Sequence, residues 1–195
     1  MGRWEPNARG RLADAALELY SERGFELTTV ADIARRAGLT ERTFFRHYAD
    51  KREVLFSGAV PMQDLMTRAV ADAPEAVAPV DALALGLDAV CEAFTDDRRE
   101  FSRRRQAVIT ANVELREREL VKLASMASAL ADTLRRRGVT EPAATLIAEA
   151  GVAVFKVGFE RWISADEKRE MAPLVRECLD GLKAVIAGGR AAGAA

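Results

Sequence analysis

The side chains best suited to recognition chemistry are concentrated between residues 40 and 51. Arg42 and Arg46 are four positions apart, so a helix places both on one face, and a guanidinium group suits paired hydrogen bonds with a guanine edge. Thr43 lies between them in the chain, and its methyl group fits against the methyl group of thymine. These three residues are candidates for reading base edges, and the alternative is a charged helix face in solvent.

Residues around this group are suited to phosphates and to cytosine. Glu41 is able to accept a hydrogen bond from the amino group of cytosine, or it complements the positive end of a helix as its first residue. Thr29, Thr40 and Lys51 are expected to contact phosphates and so to fix the register on DNA. The two threonines are equally suited to capping helices.

Two short helices joined by a turn are predicted to position these residues. Thr29 is expected to cap the first helix, and Asp32 lies three residues later, as in a capping box. Gly38 is expected to end that helix in a left-handed conformation, after which Thr40 caps the second helix. A helix, a glycine turn and a helix with a cationic outer face form a helix-turn-helix pattern, whose second helix enters the major groove.

The histidine and cysteine content excludes most catalytic and metal sites. His47 is the only histidine, so it is the only imidazole available to a catalytic or metal site. Cys91 and Cys178 are far apart in apolar helical stretches, which fits neither a disulfide framework nor a zinc site. We therefore predict no enzyme activity, no metal and no cofactor. A thiol-based redox sensor and a helical protein-interaction module are the alternative functions.

The composition is that of an ordinary globular protein. The 195 residues include 49% hydrophobic and 30% charged residues, with a formal net charge of −1. Affinity for DNA would therefore depend on where the cations lie and not on overall charge. No stretch of about 18 uninterrupted apolar residues is present, so no membrane partner is expected. The first residues also lack a secretory apolar run, and we predict a cytoplasmic protein.

The whole chain is predicted to be all-α, because hydrophobic residues recur at helical spacing and no run alternates from one residue to the next. We predict a helix-turn-helix DNA-binding domain at 1–56, a helical ligand-binding and dimerisation domain at 57–187, and a disordered tail at 188–195. A fourth helix is expected over about 51–73, and the pattern leaves open whether Pro61 breaks it.

Residues 9–56 resemble the DNA-binding domain of the TetR family of bacterial transcriptional regulators. The segments Thr28–Thr40 and Thr43–Lys51 carry the resemblance. It implies a homodimeric, ligand-responsive regulator, most often a repressor, whose partners are a double-stranded operator with an inverted repeat and a small-molecule effector. It also implies that His47 contacts a phosphate, the alternative being a surface histidine without a DNA contact.

One position departs from the family pattern. The family usually has tyrosine where this chain has Phe45, and that tyrosine hydroxyl commonly contacts a DNA phosphate. Phenylalanine has no hydroxyl group to donate, so Phe45 is expected to pack against a sugar or a thymine methyl group.

The final two helices, within about 142–187, are predicted to be apolar on more than one side. Gly151 and Gly158 would allow neighbouring helices to approach closely. In the TetR family the last two helices commonly pair with those of a second chain to make a four-helix bundle, which implies a homodimer here. The alternative is that both helices fill the core of a single chain.

An apolar ligand cavity is the remaining expectation, and its alternative is ordinary core packing. The arginine-rich run 98–105 is either a patch for an anionic ligand, such as the phosphates of an acyl-coenzyme A, or a solvated helix face. Segments 115–120 and 159–162 are similar to an actinobacterial subgroup of TetR regulators, some of which respond to fatty acyl-coenzyme A, and this implies an acyl-type effector. The candidate lining residues are Phe94, Phe101, Met126, Phe155, Phe159 and Trp162.

Overall fold

The structure is a computed structural model that describes residues 7–57 and 59–188. It confirms the all-α prediction, because the described residues form helices and contain no strand. The α-helices are α1 (Ala8–Arg23), α2 (Val30–Arg36), α3 (Glu41–His47), α4 (Ala59–Asp72), α5 (Pro79–Cys91), α6 (Arg99–Ala111), α7 (Val113–Arg136), α8 (Ala143–Trp162) and α9 (Met171–Ile186), with short 3-10 helices at Glu53–Phe56 and Asp96–Arg98.

The described residues divide into two compact units. The N-terminal unit contains 7–57 and 103–119, and the C-terminal unit contains 59–102 and 120–188. The predicted functional boundary after residue 56 stays a prediction. Most of the predicted tail lies outside the described residues.

In the N-terminal unit, α1 packs against α2, α3 and the 3-10 helix that follows them. The apolar face of α1 is buried at Leu12, Ala16 and Leu19, and Phe44 of α3 is fully buried beside this core. Burial of these side chains is the main stabilising term for such short helices, because seven residues are too few to form a helix alone.

In the C-terminal unit, α4 packs against α5, α8 packs against α9, and α5 contacts both α8 and α9. Glycine allows the closest approach, as expected: a Cβ atom at Gly158 would lie 2.5 Å from Val175 Cγ2, and one at Gly151 would lie 2.5 Å from Leu83 Cδ1. The indole of Trp162 is fully buried in this core. No helix among the described residues is both long and apolar enough to cross a membrane.

The predicted start of the fourth helix is wrong. A 3-10 helix occupies Glu53–Phe56, and the α-helix begins only at Ala59. Pro61 therefore lies in the first turn of α4 and does not interrupt it, because the first-turn N–H groups of a helix have no partner within that helix.

Candidate nucleic-acid interface

The start of α2 is fixed by a reciprocal capping box, as predicted. The Thr29 hydroxyl oxygen accepts a hydrogen bond from Asp32 N at 3.2 Å, and Asp32 Oδ2 accepts one from Thr29 N at 3.2 Å. Asp32 Oδ2 also accepts from the Thr29 hydroxyl at 2.7 Å and pairs with Arg23. These hydrogen bonds from Thr29, helped by the arginine, lower the pKa of Asp32 to about 2, so the carboxylate stays charged at neutral pH.

The turn between α2 and α3 depends on Gly38, whose φ of 65° lies in the left-handed region. Leu39 N then donates to Ala34 O at 2.8 Å, which closes the end of α2. The guanidinium of Arg11 donates to Ala37 O in the same turn. A Cβ atom at residue 38 would meet Arg11 Nη2 at 3.0 Å, so glycine is favoured there by both conformation and space.

The beginning of α3 is capped by Thr40, whose hydroxyl oxygen accepts from Thr43 N at 3.1 Å. The Thr43 hydroxyl lies 3.0 Å from that of Thr40, so Thr43 is held at the side of the helix and is half-buried. The opposite side of α3 faces the core through Phe44. The outward face of α3 consists of four exposed side chains: Glu41, Arg42, Phe45 and Arg46.

The arginines of the helix-turn-helix divide into paired and unpaired groups. Arg35 forms an ion pair with Asp32, and Arg36 pairs with Glu18 and Glu22. Within the described ranges, Arg42 and Arg46 form no ion pair. Among these arginines, Arg42 and Arg46 on the outward face of α3 are therefore able to meet an anionic partner, and their role in reading bases stays a prediction.

His47 lies at the end of α3 and is half-buried. Its Nε2 atom is enclosed and has no hydrogen-bond partner among the described residues. Its contact with a phosphate stays a prediction.

Lys51 was expected at a phosphate, but its ammonium group faces the loop between α1 and α2. Lys51 Nζ donates to Phe25 O at 2.9 Å, Thr28 O at 3.1 Å and Glu26 O at 3.4 Å, and it lies 4.2 Å from the centre of the Phe25 ring. The Tyr20 hydroxyl donates to Lys51 O at 2.6 Å, and burial raises the pKa of Tyr20. The role of Lys51 at a phosphate stays a prediction.

Three further arginine contacts were missed by sequence reasoning. In the N-terminal unit, Arg105 Nε donates to Leu55 O at 2.6 Å, and its guanidinium lies 5.3 Å from the Phe56 ring centre. Burial lowers the pKa of this arginine. Arg118 Nε donates to Glu53 Oε1 at 2.6 Å. No local spacing signals these contacts, because the partners are far apart in the chain.

The arginine run 98–105 is divided between the two units. In the C-terminal unit, Arg99 pairs with Asp96 at 2.7 Å and donates to the carbonyl oxygens of Glu167 and Arg169. Arg105 belongs to the N-terminal unit and is held there. The patch for an anionic ligand stays a prediction, and these two arginines are already engaged within the protein.

Four of the six candidate pocket residues form one aromatic cluster in the C-terminal unit. In five of the six pairs formed by Phe94, Phe155, Phe159 and Trp162, the ring centroids lie between 5.6 and 6.2 Å apart. Met126 is buried in the same core, whereas Phe101 is half-buried and lies under the Arg98 guanidinium.

Trp162 is the polar member of this aromatic cluster. Its side chain is fully buried, and its Nε1–H has no hydrogen-bond partner among the described residues. The guanidinium carbon of Arg99 lies 5.2 Å from the Trp162 ring centre. A buried N–H without a partner costs about 1–3 kcal/mol, and the role of Trp162 in a ligand pocket stays a prediction.

The two cysteines lie in different environments, and that of Cys91 does not favour redox chemistry. Burial raises the pKa of Cys91 to about 12, so its thiolate is scarce at neutral pH. Cys178 is half-buried, and its sulfur accepts a hydrogen bond from Arg161 at 3.5 Å.

Comparison with known families gives two matches that together cover most of the chain. Residues 12–57 match the model described as bacterial regulatory proteins, tetR family, and residues 77–187 match the model described as MftR C-terminal domain. The second match covers more than half of the chain.

The curated relatives match shorter segments. The chain is 39% identical over 67 residues to a protein of Mycobacterium tuberculosis named as a mycofactocin biosynthesis transcriptional regulator, MftR, covering 34% of this chain and 31% of that protein. It is 34% identical over 92 residues to the HTH-type transcriptional regulator TcmR of Streptomyces glaucescens, covering 47% of this chain and 41% of that protein. The matched part of the chain thus spans less than half the length of either relative.

Solved structures share the fold over most of its length. SmeT in complex with triclosan matches with a TM-score of 0.64 and 20% identity, covering 89% of this chain and 88% of that one. FadR from Bacillus subtilis in complex with stearoyl-CoA matches with a TM-score of 0.61 and 22% identity, covering 89% of this chain and 96% of that one.

The contacts of Lys51 lead to a stability prediction. Replacing Lys51 by Met removes the charged donor from carbonyl oxygens of the α1–α2 loop, and we expect the free energy of unfolding to fall by about 1–3 kcal/mol. Urea unfolding followed by tyrosine absorbance measures it, because both tyrosines, Tyr20 and Tyr48, lie in the N-terminal unit. Lys168→Met, at an exposed loop position, is the matched control and should change stability by less than about 0.5 kcal/mol. Equal stability of the two variants would contradict the structural role of Lys51.

Proposed function

Because the chain belongs to the TetR family of bacterial regulatory proteins, we propose that it is a DNA-binding transcriptional regulator that acts in the cytoplasm. It binds an inverted-repeat operator as a homodimer, most often to repress, and a small apolar or acyl-type molecule releases it. Each recognition helix, α3, enters a major groove, and the two half-sites lie about 34–36 Å apart or somewhat more.

The observation that supports DNA binding best is the distribution of charge on the N-terminal unit. Arg35 and Arg36 are neutralised by carboxylates of α1 and α2, whereas Arg42 and Arg46 on α3 are exposed without an ion pair in the described structure. A net charge of −1 is then no obstacle, because the affinity comes from cations placed on one face and doubled by the second protomer.

We propose a role for each side chain of the interface. Arg42 and Arg46 contact guanine edges, Thr43 meets a thymine methyl group, and Glu41 accepts from a cytosine amino group. Thr29, Thr40, His47 and Lys51 are the proposed phosphate contacts. Of these, Thr29 and Thr40 also cap the two helices, and Lys51 would have to release at least one loop carbonyl to reach a phosphate.

The test of DNA binding uses the DNA upstream of the protein's own gene, or an operator selected from a random pool, against scrambled DNA at several salt concentrations. Arg46→Ala should weaken operator binding by about tenfold or more, and binding to random DNA much less, because a bidentate base contact is worth about 1–3 kcal/mol. Arg68→Ala, an exposed arginine on α4, is the control and should leave both affinities unchanged. Equal small losses on both DNAs would make Arg46 a phosphate contact, and no binding to any DNA at low salt would refute the regulator.

A homodimer is supported by apolar side chains on the outer sides of α8 and α9. Leu146, Val157 and Val185 are 63%, 47% and 54% exposed, which is unusual for large aliphatic residues on neighbouring helices. Gly181 on α9 has no described atom within 4 Å of where a Cβ would lie, so a partner helix is able to approach its backbone. We propose that this surface pairs with its copy in a second chain.

The proposed dimer surface is tested by introducing a charged side chain into it. Val157→Glu places a carboxylate in the proposed contact twice, once from each protomer, so sedimentation velocity should show a shift from dimer to monomer at micromolar concentration. Leu65→Glu, at an exposed leucine on α4, is the matched control and should remain a dimer. A Val157→Glu protein that stays dimeric would place the interface elsewhere.

The effector site is proposed at the aromatic cluster of the C-terminal unit, where Phe94, Phe155 and Phe159 supply apolar surface and Trp162 supplies one unpartnered donor. The effector is then an apolar molecule that carries a hydrogen-bond acceptor, such as a carbonyl oxygen. It releases DNA only if it binds the form that does not fit the operator more tightly than the form that does.

The effector site is tested by tryptophan fluorescence in a Trp4→Phe background, which leaves Trp162 as the only indole. The probes are triclosan and stearoyl-CoA, the ligands of the two structural neighbours named above. Saturable quenching by either probe, together with release of operator DNA, is the expected result. Trp162→Phe should weaken the release about fivefold or more, because the donor is lost while the apolar surface remains. Release that is unchanged in Trp162→Phe would contradict the role of the indole N–H.

A further inference from the structure

We propose that Phe45 reads DNA sequence, by packing its ring against the 5-methyl group of one thymine in each operator half-site. This rests on the proposed function, and it assigns a specific chemical group to the most exposed aromatic side chain of the recognition helix.

The side chain of Phe45 is 56% exposed, although phenylalanine is among the residues that most favour burial. Its neighbour in the chain, Phe44, is fully buried and anchors α3 to the core. The two rings meet edge to face with centroids 5.5 Å apart and an interplanar angle of 82°. The buried ring thus supports the exposed one, and Phe45 projects from the helix at a fixed place.

The exposed ring lies among the polar groups proposed to read bases. Arg42 precedes it by three positions and Arg46 follows it directly, so the three side chains share the outward face of α3. The three residues span about 6 Å along the helix axis. Base pairs are stacked about 3.4 Å apart, so side chains this close together reach neighbouring base pairs.

The chemistry of the groove then selects the partner of Phe45. A phenyl ring neither donates nor accepts a conventional hydrogen bond, so it gains nothing from the donors and acceptors on base edges. The thymine methyl is the apolar group that unmodified DNA presents in the major groove. Packing against a sugar is the alternative, but such a contact carries no sequence information.

The proposal predicts which bases lie close together in each operator half-site. A thymine that meets Phe45 lies within about one or two base pairs of the guanines that meet Arg42 and Arg46. Binding removes the exposed ring and the thymine methyl from water together, so this hydrophobic contact adds to specificity with little dependence on salt.

The experiment exchanges single thymines of the selected operator for deoxyuridine, which removes the methyl group and keeps the base pairing. Affinity is measured by fluorescence anisotropy for the wild-type protein, Phe45→Ala and Phe45→Leu. At one thymine per half-site we expect the exchange to weaken wild-type binding about fourfold, or about 15-fold when both half-sites carry it. Phe45→Ala should show less than about a twofold change at the same thymine, and Phe45→Leu should retain part of the sensitivity, since an aliphatic side chain still packs on a methyl group.

Two controls make the result interpretable. Leu27→Ala removes another exposed apolar side chain of the N-terminal unit, which is 73% exposed, and should keep the full wild-type sensitivity to deoxyuridine. Phe45→Ala should unfold only slightly below the temperature of the wild type, because the mostly exposed side chain loses little beyond its contact with the Phe44 ring.

Three outcomes would overturn the proposal. If no single thymine is sensitive, or if Phe45→Ala is as sensitive as the wild type at every sensitive thymine, Phe45 does not read a methyl group. If Phe45→Ala weakens binding to operator and to scrambled DNA by the same factor, the ring contacts the sugar-phosphate backbone. If the wild-type protein still binds an operator tightly in any of these cases, this inference is wrong but the proposed regulator function is supported. If it binds no DNA at all, both proposals are wrong.

Discussion

The short length of the two DNA-facing helices is the constraint on which the rest of the N-terminal unit depends. With seven residues each, α2 and α3 do not persist alone in water, so their ends must be held by specific groups. Thr29 and Asp32 hold the start of α2, Gly38 its end, and Thr40 the start of α3. Only when these caps and the buried Phe44 fix α3 does its outward face have one definite arrangement of Arg42, Phe45 and Arg46.

The sequence predicts contacts between residues that are close together in the chain better than contacts between residues that are far apart. The capping box, the glycine turn and the outward face of α3 were predicted, because each signal is contained within a few consecutive residues. The contacts of Lys51 with the α1–α2 loop were not predicted, because the carbonyl oxygens it meets lie 23 to 26 residues away and no local pattern links them. The same holds for Arg105 and Arg118, whose partners are 50 and 65 residues away. The start of the fourth helix was misplaced because periodicity continues across Glu53–Phe56, which forms a 3-10 helix instead.

Helix α8 connects the two proposals made for the C-terminal unit. Its inner side supplies Phe155, Phe159 and Trp162 to the aromatic cluster, and its outer side presents Leu146 and Val157 to the proposed partner. A helix that is apolar on two sides needs two apolar neighbours, which explains why its sequence pattern is broader than that of a surface helix. The proposed effector and the proposed second chain would thus contact opposite sides of the same 20-residue helix.

The capping box of α2 also gives the helix-turn-helix a response to acid. In the folded protein the pKa of Asp32 is about 2, so its carboxylate takes up a proton only when the pH falls to about that value. An aspartate in an unfolded chain has a pKa of about 3.9, so between these two values the unfolded chain binds more protons than the folded one. The stabilisation that Asp32 provides is therefore complete above about pH 5 and is lost as the pH falls toward 2. Acid then shifts the equilibrium toward the unfolded chain by protonating the carboxylate that holds the start of α2.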